Sequence, residues 1–163
     1  AIGANIIRYK RVMNDNFVVI ASSICNGYFH DEEFAPYREL YELFQKNYHN
    51  TLPDIAKYGE YFCNKKKYID QYRYNFSYHP FHPFSMVACG HIAHIHASAT
   101  YIVGAYEPGY ARGMEMKPRA TFAQALKDSE RYVGVNPKIL ALPRTFKTAG
   151  VHLLMADDPI LEV

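Results

Sequence analysis

The chain has 163 residues, long enough for a core of its own, and its 49% hydrophobic and 21% charged content excludes a disordered chain. Its net charge of +2 is too small to argue for nucleic acid, whose phosphates call for a concentrated basic face. No apolar run approaches the ~20 residues of a membrane helix, and no signal peptide is visible. Three cysteines without a CxxC pair (Cys25, Cys63, Cys89) fit a reducing cytoplasm better than a disulfide framework or a zinc knuckle. There are 15 Tyr and 10 Phe but no Trp, a supply of large contact area that suits interfaces as well as cores.

The chain opens on Ala1-Ile2-Gly3 with no initiator Met, which reads as a piece of a longer protein. Residues 4–13 predict a helix, with Ile6, Ile7 and Lys10 on neighbouring turns, and Asn14-Asp15-Asn16 is a turn signal. Residues 17–21 are a continuous apolar run rich in β-branched side chains, the pattern of a strand buried on both faces. Residues 22–34 form a loop around Asn26-Gly27. Phe34, Tyr37, Tyr41 and Phe44 then recur at helical spacing. Thr51 can cap a further helix with Pro53 and Asp54 in its first turn and Ile55, Tyr58 and Phe62 on its apolar side. Residues 65–78 carry no clear period, and the prolines of His79-Pro80-Phe81-His82-Pro83 make that stretch irregular.

Residues 84–96 predict a helix with one seam through Ala88, Ile92, Ile95 and Ala99 and an adjacent seam through Val87, His91, His94 and Ser98. Tyr101-Ile102-Val103 is a second buried strand. Thr121 caps a helix to about Tyr132 with Phe122, Ala125 and Leu126 inward. Gly134 ends it, and Pro137 prevents continuation. Residues 138–142 predict a third strand and residues 151–155 a fourth. Strands separated by helical patterns argue for right-handed βαβ units. The expectation is a single α/β domain over residues 1–163, three-layered, with a mostly parallel sheet of about four strands flanked by helices. Sites in such sheets lie beyond the carboxyl ends of the strands. The GxGxxG and GxxxxGK[ST] phosphate cradles are both absent from the sequence.

Several clusters carry potential chemistry. His91, His94 and His96 fall within six residues. His91 and His94 share a helical face, but His96 lies roughly 160° from His94 at ~100° per residue. One straight helix therefore does not converge all three on a metal, and no Asp or Glu between Asp70 and Glu107 completes a shell. Packed or interfacial histidines are the simpler reading. Arg144-Thr145-Phe146-Lys147-Thr148 comes after the third predicted strand. Its two cations and two hydroxyls suit a phosphate or carboxylate as well as they suit an exposed turn. Arg112, Lys117 and Arg119 are candidates for the same electropositive mouth. Cys25 has His30 near it in sequence only, and an inert thiol is the simpler reading. Lys65-Lys66-Lys67, with Tyr68, Tyr72, Arg73 and Tyr74, reads as a solvated helix end before it reads as a platform for bases.

In this order the features resemble a known family. The apolar run 17–20, the loop Ser22-Ser23-Ile24-Cys25-Asn26-Gly27-Tyr28 and Phe34 are similar to the start of the C-terminal domain of nickel-dependent lactate racemase-like proteins. Gly90-His91-Ile92-Ala93 with Tyr101-Ile102-Val103, the stretch from Met116 through Pro118 and Thr121 to Ala125-Leu126, and residues 138–143 resemble that family's next helix and strand, its capped helix and its final strand. The resemblance implies a 2-hydroxy-acid racemase or epimerase that moves a hydride to and from a covalently bound nickel-pincer nucleotide. It implies that the metal ligand, the cofactor-bearing Lys and the acid/base His pair belong to an N-terminal domain, so this piece binds no cofactor alone and supplies no catalytic or metal residue. The implied partners are that N-terminal domain and a small 2-hydroxy acid, with no nucleic acid and no membrane; a homo-oligomer is possible.

Lys10 best matches the family's carboxylate-binding Lys, with Arg144 and Lys147 as further substrate-binding candidates and His91 and His94 as cofactor-facing ones. Ile6-Ile7 stand where the family has an aromatic-Gln pair, and Arg144 to Thr148 replace a Gly-rich stretch, so the substrate differs from lactate in this reading. The alternatives are a stand-alone α/β interaction module with Tyr-rich helices, or a small metal protein using His91 and His94.

Overall fold

The computed structural model describes residues 13–46 and 51–143. The helix expected over residues 4–13 and the strand expected over 151–155 therefore lie outside the described residues, as do Lys10, Arg144 and Lys147. The elements in chain order are β1 (Val18–Ser22), α1 (Tyr37–Lys46), α2 (Thr51–Cys63), α3 (Lys66–Tyr74), α4 (His82–His96), β2 (Ala99–Val103), α5 (Pro108–Gly113), β3 (Lys117–Arg119) and α6 (Phe122–Val133).

The described strands form one parallel sheet in the order β1-β2-β3. Val18 pairs with Ala99 and Ser22 with Val103, while Tyr101 pairs with Lys117 and Val103 with Arg119. The backbone N–H of Ser98 donates to the Phe17 carbonyl at 2.9 Å, so the ladder starts as soon as α4 ends. All five residues of β2 are buried, which a central parallel strand requires because helices cover both its faces.

Side-chain alternation sorts the two faces. Val18, Ile20, Ala99, Tyr101 and Val103 pack with Ala125 and Tyr132 of α6. Phe17 and Val19 pack on the opposite face with Ala93 and Ala97, at the end of α4. The general α/β class is as expected, and the described sheet has three strands.

The first half of α4 has a different task. Phe84 is fully buried among Leu40, Phe62 and Tyr68, with Val87, Ile55 and Leu43 around them. Phe62 meets Phe84 edge-on with ring centroids 5.3 Å apart and stacks on Tyr68 at 6.0 Å. Burying rings of this size contributes about 2–3 kcal/mol each from area alone. One helix thus joins the α1–α3 layer to the sheet. Pro83 sits in its first turn, where a missing N–H costs nothing.

Four expectations need correction. Residues 138–142 are not a strand among the described residues; they run as irregular chain with Ile139 67% and Leu140 54% exposed. The three residues of β3 were not expected as a strand, because Lys-Pro-Arg lacks an apolar period; Pro118 tolerates the position only because the strand lies at an edge. On α4 the inward residue is Ala93, whereas Ile95 is exposed, so the expected seam is rotated from the real one. On α6 Ala125 is fully buried, but Phe122 is 48% exposed. The uncertain stretch after Lys65 is the helix α3, fixed by the buried ring of Tyr68.

Candidate site at the carboxyl ends of the strands

Beyond β1 and β2 the chain builds two loops that are stitched to each other. Ser23 N–H donates to the Val103 carbonyl at 3.1 Å, extending the ladder by one step. Tyr106 N–H then donates to the Ile24 carbonyl at 2.7 Å, and Glu107 N–H to the Cys25 carbonyl at 3.1 Å. Within the first loop, Ser23 Oγ accepts from Cys25 N–H and Asn26 Oδ1 accepts from Tyr28 N–H, each at 3.2 Å. These short polar side chains replace backbone partners in a segment with no regular structure. Cys25 sits at φ +30°, in the left-handed region that a side chain enters only under constraint.

Gly27, at φ +71°, shows why a glycine stands here. A Cβ at this position would overlap the ring of Tyr110. Tyr110 belongs to α5, so the second loop's helix closes against the backbone of the first. The ring centroid of Tyr110 lies 5.2 Å from Tyr41 of α1 and 6.0 Å from Phe29, and Phe29 lies 5.6 Å from Tyr41. Gln45, one turn beyond Tyr41, donates through Nε2 to the Gly113 carbonyl at 3.0 Å. Arg38 covers Phe29 from outside, 5.0 Å from its ring centre, and pairs with Asp31 at 2.9 Å. Three elements distant in sequence thus converge on Cys25-Asn26-Gly27, leaving Ile24, Tyr28 and Tyr106 exposed on the rim.

The electrostatics of this mouth are quiet. Burial pushes the Cys25 thiol above its ordinary value, which keeps it protonated and weakly nucleophilic at neutral pH. Burial, with Tyr110 and Cys25 beside it, likewise raises the Tyr41 hydroxyl. His30 is held within its own turn: its Nδ1 accepts from Glu33 N–H at 3.2 Å, and its ring packs edge-on against Tyr28 and Phe34.

Behind the rim, Tyr37 and His82 are joined at 2.6 Å between the hydroxyl and Nδ1. Tyr78 stacks on Phe34 with centroids 4.7 Å apart and lies 4.5 Å from His82. Burial, and then Tyr78, push the Tyr37 hydroxyl up to about 12. The neutral hydroxyl and the imidazole together hold the start of α4 against α1.

The histidines singled out from sequence occupy the other end of the sheet. α4 runs antiparallel to the strands it connects, so His94 lies near their amino ends. There His94 Nδ1 is 3.5 Å from Glu115 Oε2, in the turn before β3. His91 is half-buried one turn earlier, and His96 is exposed where α4 ends. Among the described residues no three or more His, Cys, Asp or Glu side chains gather as a metal site. The described residues thus do not fit a nickel centre.

The basic candidates are dispersed as well. Lys117 Nζ donates to the Tyr132 hydroxyl at 2.7 Å, and that hydrogen bond holds the phenol below its ordinary range. Arg119 pairs with Asp128. Both therefore serve the β3–α6 packing, while Arg112 is exposed on α5. Lys65 of the lysine run is bound to Glu39 and lies 4.3 Å from the Tyr61 ring centre, and Lys66 pairs with Asp70. Glu39 also accepts from the Tyr68 hydroxyl. The groove of about 480 Å³ between α1 and α2, lined among others by Glu42, Lys46, Lys57 and Tyr58, lies against this same ion pair.

Sequence reasoning placed Cys25 and Gly27 in the first strand-end loop but read the thiol as inert, and it did not single out Tyr41 or Tyr110 for a site. Each is an ordinary aromatic residue locally, and only the Gly27 backbone brings them together. No protein-family model, curated protein or solved structure matches this chain.

Proposed function

We propose that this chain is the C-terminal domain of a lactate racemase-like enzyme acting on 2-hydroxy acids, closing over a nickel-pincer nucleotide held by an N-terminal domain. The observation that carries the reading is the stitched pair of loops after β1 and β2. They form an aromatic rim, with Glu107 and the Arg38–Asp31 pair beside it, at the end of a parallel sheet where ligands of this architecture sit. Rings, backbone groups and a protonated thiol suit a cover that excludes water from a reacting centre. The cofactor would supply the hydride chemistry; the part of this chain is to close the site and orient the acid.

In this reading Lys10 binds the substrate carboxylate, with Arg144 and Lys147 as further anion contacts, and the sheet has about four strands. The substrate is a 2-hydroxy acid other than lactate, because Ile6-Ile7 replace the family's aromatic-Gln pair. The three thiols are all free, in keeping with a cytoplasmic protein, and among the described residues no helix is long and apolar enough to cross a membrane.

The test is chiral analysis of a panel of single-enantiomer 2-hydroxy acids incubated with the full-length protein, produced in a host that makes the cofactor. Interconversion of at least one acid is expected, and Lys10→Ala should raise its KM by about 10-fold or more, the loss of one charge-assisted contact. Nickel-loaded protein that leaves every acid unchanged rejects the activity; unchanged KM in the variant rejects the role of Lys10.

A second reading has its own observation. Tyr72, Tyr74, Phe76, Tyr78 and Phe81 are exposed in one stretch, Phe76 at 97%. So many exposed aromatic side chains within ten residues suit protein contact. Light scattering over a concentration series tests this interaction-module reading: self-association lost in Phe76→Ser supports contact between copies of the chain, and a strict monomer at high concentration counts against it.

A further inference from the structure

Beside the edge strand β3, two cations from different elements converge on one phenol. Lys117 Nζ, at the start of β3, donates to the Tyr132 hydroxyl at 2.7 Å and lies 5.0 Å from the centre of that ring. Arg131, the preceding residue on α6, brings its guanidinium to 4.7 Å from the same ring centre. Tyr132 is half-buried in the last turn of α6, with its hydroxyl open to solvent.

The neighbouring acids do not cancel these charges. Asp128 of α6 is taken up by Arg119 of β3, and Glu130 by Lys127. Among the described residues neither Lys117 nor Arg131 has a carboxylate within ion-pair distance. On β2, Tyr101 is buried with Lys117 6.0 Å and Arg119 5.2 Å from its ring centre, and its hydroxyl donates to the Asp128 carbonyl. From β1 the packing side chains are Val18 and Ile20, which carry no charge. The hydrogen bond from Lys117, helped by the charges of Lys117 and Arg131, outweighs desolvation and holds the Tyr132 phenol below its ordinary range.

We propose that Tyr132 is a nucleophilic tyrosine that accepts phosphoryl or sulfonyl groups from activated donors, with Lys117 and Arg131 as its activating cations. The phenol gives its proton to solvent. Its oxygen forms the new O–P or O–S bond, and the leaving group departs with the electron pair of the bond that breaks. Lys117 keeps its own proton throughout. Charge that builds on the oxygens of the incoming group falls beside two cations, which suits phosphoryl and sulfonyl centres. Lys117 begins β3, so this phenol lies at the end of the sheet opposite the stitched loops. Its reactivity does not depend on the closing role proposed for those loops.

The experiment labels the 163-residue chain at neutral pH with an aryl sulfonyl fluoride and, separately, with an alkyl fluorophosphonate. Both reagents release fluoride, and peptide mass spectrometry reads each tyrosine. Tyr74 and Tyr106, 71% and 76% exposed, are the internal comparison, because exposure alone would favour them. Tyr132 is expected to react at least about 3-fold faster than either with one reagent or both, and to fall to their rate in Lys117→Gln. Which reagent reacts identifies the centre that the site takes. Labelling of Tyr132 no faster than Tyr74 with both reagents overturns the proposal, as does a rate that Lys117→Gln leaves unchanged. Because Lys117 also packs β3, the unsubstituted chain supplies a second reading. Ring-carbon NMR should show Tyr132 titrating at lower pH than Tyr74; a midpoint at or above that of Tyr74 overturns the proposal.

Discussion

Two glycines show how local geometry decides the effect of one methyl group. Gly27→Ala adds a Cβ against the Tyr110 ring at a backbone angle that alanine resists, so we expect a loss of about 1–3 kcal/mol. Gly90 lies inside α4, where an added Cβ meets nothing within 4 Å. The same substitution there should stabilise by about 0.5–1 kcal/mol, by restricting the unfolded chain. Denaturant midpoints of the two variants measured side by side check the signs; equal shifts would refute the account of Gly27.

Glu39 gives a second test at this scale. Its burial pushes its carboxyl up, but hydrogen bonds from Lys65 and Tyr68 outweigh that and hold it below the ordinary glutamate range. A depressed carboxylate adds stability that is fully present above the unfolded-state value and lost as pH falls through the folded one. Glu39→Gln should therefore cost about 1–2 kcal/mol at neutral pH, a figure reduced for its partial exposure, and should flatten the acid limb of the stability curve. An acid limb unchanged by the substitution would contradict this.

Among the elements, α6 was the most legible from sequence. Thr121 accepts from Gln124 N–H at 3.2 Å and Gln124 Oε1 accepts from Thr121 N–H at 3.4 Å, a reciprocal cap. Thr121→Ala should lower stability by about 1 kcal/mol in a thermal melt, with Thr121→Ser nearly neutral. A cap, a period and a terminal Gly are all local, so residues alone reveal them. β1 and β2 were legible for the same reason, as short β-branched runs. β3 was not, because Lys-Pro-Arg forms a strand only when β2 lies beside it. The face of α4 was misjudged because that helix serves two cores in succession, Phe84 towards α1–α3 and Ala93 towards the sheet, and a single seam cannot describe both. The site was legible in part: Cys25 and Gly27 stand in a recognisable loop, while Tyr41 and Tyr110 reach it only through tertiary packing.

For the whole molecule, the sheet has two unlike ends. The histidine-rich end carries the His94–Glu115 contact and no gathering of metal ligands among the described residues. The carboxyl end carries two interlocked loops and an aromatic floor, and the functional reading rests on that end. Amide hydrogen exchange of the full-length protein, with and without a saturating mixture of 2-hydroxy acids, tests the choice directly. The account predicts slower exchange at residues 24–30 and 105–107 when the acids are present, with residues 91–96 and 115 unchanged. Protection confined to the His91–Glu115 end, or no change in the two loops, would contradict it.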